Sequence, residues 1–261
     1  TMLTGQSQDL SKAKAAILRI KPHYWKVVGE HLDVEVIREL KTALPDLRIL
    51  WRCYWENQPM PENYEQAGSL AREYSNRILA EPAVIEGLIW GVEAHSEGFA
   101  WGYNLSDTQK EALDTYNDFL IKELSSLSGQ TEVEVVVGNF GSGNGNGAWW
   151  RLYFPRTLAA AKIIGFQEYG WPNMRSQQPY RALRYREIMT SIRVVYGDMR
   201  AMITECGLTN AVIDGGPDVG YSRIKTPEAY WAEDLSWYQG ELAKDAYVEA
   251  AFLFYLSGHY G

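Results

Sequence analysis

The stretch 162-KIIGFQEYG-170 runs apolar through Phe166 and then turns polar at Gln167 and Glu168. It is of strand length, β-branched and closed by a glycine, which reads as a buried parallel strand whose far end carries functional groups. Its neighbours 133-VEVVVGNF-140 and 201-AMITECG-207 have the same character, and so do 47-LRILWRCY-54, 84-VIEGLIWGVE-93, 250-AAFLFYLSG-258 and 16-AILRIKP-22. A weaker eighth candidate is 2-MLTGQS-7. The segments between them have helical period. Val34, Ile37, Leu40 and Leu44 share one face of 33–44, and 62–79 and 178–196 read as further helices. Segment 106–127 opens on a capping box, Ser106 with Gln109, and 226–244 opens on Thr226 and Pro227. Segment 148–160 is interrupted by Pro155.

Such alternation implies a parallel sheet with right-handed crossovers. Seven or eight strands in 261 residues match a compact α/β fold, the (β/α)8 TIM barrel, as a single domain over 1–261. An open doubly wound sheet is the alternative. The last run ends close to the last residue, so the barrel is expected to lack its final helix or to belong to a longer protein.

A 46% hydrophobic and 22% charged composition excludes disorder and collagen-like structure. No apolar run approaches the roughly 18 residues of a membrane span. The chain does not open on a basic-then-apolar leader. A net charge of -8 without Lys/Arg runs argues against nucleic acid as a partner. Two cysteines, Cys53 and Cys206, make no disulfide framework, and buried structural thiols are the expectation for both. The 13% aromatic content suits sugar-stacking platforms or simply a well-packed core. No metal or organic cofactor is expected: His23, His31, His95 and His259 are dispersed, without an H-E-x-x-H pair. Gly143, Gly145 and Ala148 fit G-x-G-x-x-A, yet not on a first βα turn, so 138–147 reads as a loop over the barrel mouth. Ser142 lacks a nucleophile elbow because Phe140 stands where the first glycine belongs.

In a parallel barrel the chemistry sits at the carboxyl ends of strands. Those ends bear His23, Arg52 with Tyr54, Glu93, Asn139, Gln167 with Glu168 and Tyr169, and Glu205. Trp90-Gly91-Val92-Glu93 and Ile203-Thr204-Glu205-Cys206-Gly207 each place a carboxylate directly after an apolar strand, which is costly unless the charge is paired, solvated or used. Two carboxylates across a barrel mouth are what glycoside hydrolysis needs. The alternative is that each only accepts hydrogen bonds from Arg52, Lys21 or loop amides. His95 and Glu97 follow Glu93 and either line the cleft or belong to a solvated loop.

These strand ends resemble clan-A, cellulase-like retaining glycoside hydrolases built on (β/α)8 barrels, and more narrowly the small barrel modules of bacterial and phage proteins. The resemblance rests on Arg52 through Asn57-Gln58-Pro59, Trp90-Gly91-Val92-Glu93, Gly138-Asn139-Phe140, Phe166-Gln167-Glu168-Tyr169, Ile203 through Gly207, and Trp237-Tyr238 with Glu241 through Val248. It implies Glu93 as general acid/base, Glu205 as nucleophile and retention of anomeric configuration. It implies Tyr169 orienting Glu205, and Trp90 and Trp101 helping to keep Glu93 protonated. It implies an oligo- or polysaccharide site bordered by Arg52, Trp55, Trp101, Asn139, Gln167, Tyr169 and Trp171, with Trp149 a further platform. A secreted or cell-surface setting goes with such a substrate. The sequence departs from the family in Val92, where Asn normally precedes the acid/base Glu, and in Gln167, which replaces a His. A non-catalytic carbohydrate-binding barrel and an isomerase or aldolase using Lys21 are the competing readings.

Overall fold

In the computed structural model, residues 5–6, 10–54, 59–95, 105–125, 133–209 and 225–253 are described. Eight parallel strands follow one another in sequence order: β1 (Gly5–Gln6), β2 (Tyr24–Gly29), β3 (Arg48–Cys53), β4 (Gly91–Glu93), β5 (Glu134–Phe140), β6 (Ile163–Gly170), β7 (Arg200–Leu208) and β8 (Val248–Leu253). Seven are strands of three residues or more, and β1 is a two-residue strand paired to Val27 and Val28. The helices lie between them, α1 (Leu10–Ile20), α2 (Val34–Ala43), α3 (Tyr64–Ala80), α4 (Pro82–Ile85), α5 (Asp107–Ser125), α6 (Gly147–Tyr153), α7 (Pro155–Ala160) and α8 (Tyr185–Tyr196). A helical segment from Pro227 to Leu242 precedes β8. This is the expected TIM-barrel order. No helix among the described residues is long and apolar enough to cross a membrane.

The helix signals hold where a side chain satisfies the first-turn amides. Asp33 caps α2, Ser106 and Gln109 form the reciprocal box before α5, and Thr226 accepts from Ala229 with Pro227 in the first turn. Pro155 splits 148–160 into α6 and α7. The segment 226–244 is interrupted by a π-helical turn, Trp231–Leu235.

Three segments differ from their sequence reading. The run 16–22 is the end of helix α1, with Ile17 buried, and the strand is Tyr24-Trp25-Lys26-Val27-Val28-Gly29. His23 and exposed Lys21 therefore sit before β2, at the opposite end of the barrel from the carboxyl termini of the strands. In the run 84–93 the first residues are the tail of α4, and only Gly91–Glu93 pair as strand. Residues 178–184 are not helical, because Pro179 and a left-handed Leu183 (φ 61°) delay α8 until Tyr185.

Below the site, the amino-terminal mouth is sealed by ion pairs. Glu249 of β8 meets Arg48 of β3 at 2.7 Å and Arg200 of β7 at 2.9 Å, and Arg200 continues to Glu134 of β5 at 2.9 Å. The Tyr24 hydroxyl also donates to Glu249, joining β2 to β8. Trp90 belongs to this end, edge-on to Tyr24 and under the Arg48 guanidinium.

Glu168 points away from the barrel axis and caps α8 from a distant strand. Its carboxylate accepts from the Leu183 and Tyr185 amides at 2.7 and 3.0 Å and from the Tyr238 hydroxyl at 2.5 Å. Burial pushes its pKa from 4.5 up to about 7, against the pull of these donors. A folded-state value above the unfolded one means that the stability it contributes is complete below pH 4.5 and is lost as pH rises through about 7. The loss is on the order of 3 kcal/mol. Urea midpoints measured from about pH 4.5 to 8 are expected to fall for the wild type relative to Glu168→Gln. Parallel curves would refute this.

Candidate active site

Glu93 ends β4, and the other strand-end carboxylate, Glu205, lies on β7. Both are buried, at 1% and 2% exposure, on strands separated by β5 and β6. A single ammonium joins them. Lys26 Nζ lies 2.7 Å from Glu93 Oε1, 3.2 Å from Glu205 Oε1 and 3.0 Å from the Thr204 carbonyl oxygen. Lys26 is itself 0% exposed. Two carboxylate oxygens touching one nitrogen lie within about 6 Å of each other, close to the separation of about 5–5.5 Å typical of retaining glycosidases.

Arg52 reaches in from β3. Its guanidinium donates to Glu205 Oε1 at 2.8 Å and stands 3.9 Å from Glu93 Oε2. From β6, the Tyr169 hydroxyl donates to Glu205 Oε2 at 2.9 Å. Both oxygens of Glu205 thus face donors or cations, whereas Glu93 has its ammonium contact and the more distant Arg52.

The surroundings drive the two carboxyls in opposite directions. For Glu93, burial raises the pKa most, the Glu205 charge adds to it, and Lys26 and Arg52 pull back without prevailing. For Glu205, burial is again the largest influence and acts upward, but Lys26, Arg52 and the Tyr169 hydroxyl together bring the pKa below its ordinary value. A carboxyl raised in pKa beside one lowered is the kind of divergence on which acid-and-nucleophile chemistry relies. Trp90, at the far end of the barrel, has no part in it, and the burial of Glu93 comes from the barrel interior.

The short strand β4 is held by groups that no strand-end motif signals. The Tyr74 hydroxyl on α3 donates to the carbonyls of Cys53 and Glu93 at 3.0 Å each, and Tyr116 on α5 donates to Ala94 at 3.0 Å. Removing either hydroxyl frees the backbone that aims Glu93.

Asn139 lies at a bulge in β5, with a left-handed backbone (φ 41°) that asparagine tolerates better than most residues. Its amide nitrogen reaches the His95 and Val136 carbonyls at 3.4 Å, and its oxygen accepts from Thr204 at 2.9 Å. Asn139 therefore ties β4, β5 and β7 together one residue from Glu205. The space for it exists because residue 165 is glycine: a Cβ there would fall 1.9 Å from Asn139 Oδ1.

Gln167 pairs in register with Glu205 and is 4% exposed, and its Oε1 has no hydrogen-bond partner among the described residues. Trp171, half-buried, follows β6 directly, with its carbonyl held by Gln177 at 2.7 Å. Trp149 packs in an aromatic cluster with Phe140, Trp150 and Phe154, which makes it core. Trp55, Trp101 and Glu97 lie outside the described residues. His95 is buried beside Phe140. Burial pushes the Cys53 thiol up to about 12 and that of Cys206 higher still, so neither is a thiolate nucleophile near neutral pH. Among the described residues no group of three His, Cys, Asp or Glu side chains is arranged to hold a metal ion.

No protein-family model matches the chain, and no curated protein matches its sequence. Solved structures do. An endo-β1,6-glucanase aligns with TM-score 0.57 and 10% identity over 98% of this chain and 65% of its own. A β-glucuronidase from an uncultured Clostridium sp. aligns with TM-score 0.57 and 11% identity over 97% of this chain and 42% of its own. A chain from a structure of two fungal β-1,4-galactanases aligns with TM-score 0.58 and 10% identity over 97% and 88%. This chain thus spans less than two thirds of the first and less than half of the second. The likeness is one of fold: the parallel-stranded barrel backbone of this chain superposes on those of these structures.

Proposed function

We propose that the protein is a retaining glycoside hydrolase acting on an oligo- or polysaccharide. The observation that carries this reading is the Glu93–Lys26–Glu205 arrangement: two buried carboxyls at retaining distance, one raised and one lowered in pKa. Glu205, ionised, attacks the anomeric carbon while protonated Glu93 gives its proton to the departing glycosidic oxygen. A covalent glycosyl ester on Glu205 results. Glu93, now a carboxylate, takes a proton from water, whose oxygen displaces Glu205 and restores the original configuration.

Tyr169 fixes the rotamer of Glu205, and Arg52 stabilises its charge at rest. The Gln167 oxygen, without a partner among the described residues, is positioned to accept from a sugar hydroxyl, and Trp171, directly after β6, would border the cleft. With Val92 in place of the usual Asn, the hydrogen bond to a 2-hydroxyl is missing, which suits a sugar with a different 2-substituent. A polysaccharide substrate would place the protein outside the cytoplasm, secreted or at a surface.

The competing reading is a non-catalytic carbohydrate-binding barrel, favoured by the ammonium that pairs with both glutamates at once. Reducing-end release from a panel of polysaccharides, with wild type beside Glu93→Gln, decides between them. Release by wild type alone is expected. Retained binding to one glycan without release by either protein would favour the binding module.

A further inference from the structure

We propose that Lys26 is a positioning residue of this site, its ammonium setting both the separation and the charge of the two glutamates. The inference rests on the two-glutamate reading for its mechanistic meaning, but the contacts that carry it are independent of turnover. Lys26 stands in the middle of β2, wholly buried, with three oxygens around its nitrogen: Glu93 Oε1, Glu205 Oε1 and the Thr204 carbonyl. A buried ammonium is tolerated only when so surrounded. Because β4 and β7 are separated by two strands, no ladder hydrogen bond fixes the distance between their carboxyls. The shared nitrogen does.

Among the described residues, the other ionisable groups that interact with this cluster are Arg52 from β3, Tyr169 from β6, Tyr74 from α3 and Cys206 next to Glu205 on β7. Arg52 serves the two carboxyls unequally, at 2.8 Å from Glu205 and 3.9 Å from Glu93. Loss of Lys26 therefore leaves Glu205 a close cation and Glu93 only a distant one. Both pKa values should rise, by about 1–3 units for the loss of a cation at such range, and that of Glu93 by more. Hydrolysis requires Glu205 ionised, so the acid limb of kcat/KM moves to higher pH. It requires Glu93 protonated, so the alkaline limb moves to higher pH also, and further. The pH profile of Lys26→Met becomes broader on its alkaline side. A residue that only filled space would lower activity or stability and leave both limbs where they were.

The test is a carbon-13 NMR titration of the Glu93 and Glu205 carboxyls in wild type and Lys26→Met, which keeps side-chain volume and removes the charge. Upward displacement of both, larger for Glu93, is the expected result. Unchanged titrations overturn the proposal whether or not the protein hydrolyses any glycan. If Lys26→Met does not fold, the nitrogen-15 resonance of the wild-type Lys26 ammonium decides instead. It should shift in step with Glu93, and a resonance that stays constant through the Glu93 titration overturns the proposal. A wild type that hydrolyses nothing while these couplings are present would remove the hydrolase reading and leave the role of Lys26 in the charge of the pair intact.

Discussion

Replacement of Glu205 by Gln is expected to eliminate turnover, with kcat/KM falling by about four orders of magnitude or more, as when the nucleophile of a covalent mechanism is removed. Gln offers no carboxylate to form the ester, and its amide is shielded from water by the same burial that isolates Glu205. The loss should be equal on poor and good leaving groups, because the step that disappears is attack on the anomeric carbon. Stability responds as well. Glu205 neutralises Lys26 and Arg52 inside the barrel, and Gln leaves these two cations facing Glu93 alone. The variant is therefore expected to be less stable by about 1–3 kcal/mol, read from denaturant midpoints. It should remain folded, since its side-chain oxygen still accepts from Arg52 and its amide can donate to the Tyr169 hydroxyl. Wild-type turnover by Glu205→Gln would disprove the assignment.

Glu93→Gln behaves differently, and the difference separates the two roles. On a polysaccharide, whose departing oxygen needs a proton, kcat/KM falls by about 10²–10⁴-fold. On an aryl glycoside with a good leaving group, attack by Glu205 proceeds without help, the glycosyl ester accumulates, and a burst is followed by slow hydrolysis. Added azide, which needs no general base, then displaces the ester, and turnover recovers as a glycosyl azide of retained configuration forms. The same azide does nothing for Glu205→Gln. Equal losses of Glu93→Gln on both kinds of substrate, without azide recovery, would mean that Glu93 is not the proton donor.

Most of the barrel was legible in the chain because parallel strands buried on both faces are nearly continuous in apolar character. Runs such as 133–140, 162–170 and 201–207 are strands over almost their full length. The glutamates stood out for the same reason, as charges placed at the ends of apolar strands. Lys26 escaped because it interrupts such a strand at its centre. With a lysine in third place, Tyr24–Gly29 lacks a continuous apolar run, while Ala16-Ile17-Leu18-Arg19-Ile20 imitates one although it belongs to a helix. The signal available was the cluster of aromatic and β-branched residues between Pro22 and Gly29, which favours strand.

Other parts of the site are tertiary and leave little trace in sequence. The bulge that turns Asn139 inward depends on the missing side chain of Gly165, a residue on the adjacent strand. Tyr74 and Tyr116 are ordinary positions on buried helix faces until the fold brings their hydroxyls to the β4 backbone. Trp149 shows the converse, a tryptophan in a loop-following helix whose neighbours make it core.

The central claim, that Glu93 and Glu205 act by double displacement, is tested most directly by the anomeric configuration of the first-formed product. Proton NMR of the hydrolysis, recorded before mutarotation, is expected to show the sugar released with the configuration of the bond that was cut. Release of the opposite anomer would contradict the account, because carboxyls held within about 6 Å by one lysine leave no room for the direct attack of water that inversion needs.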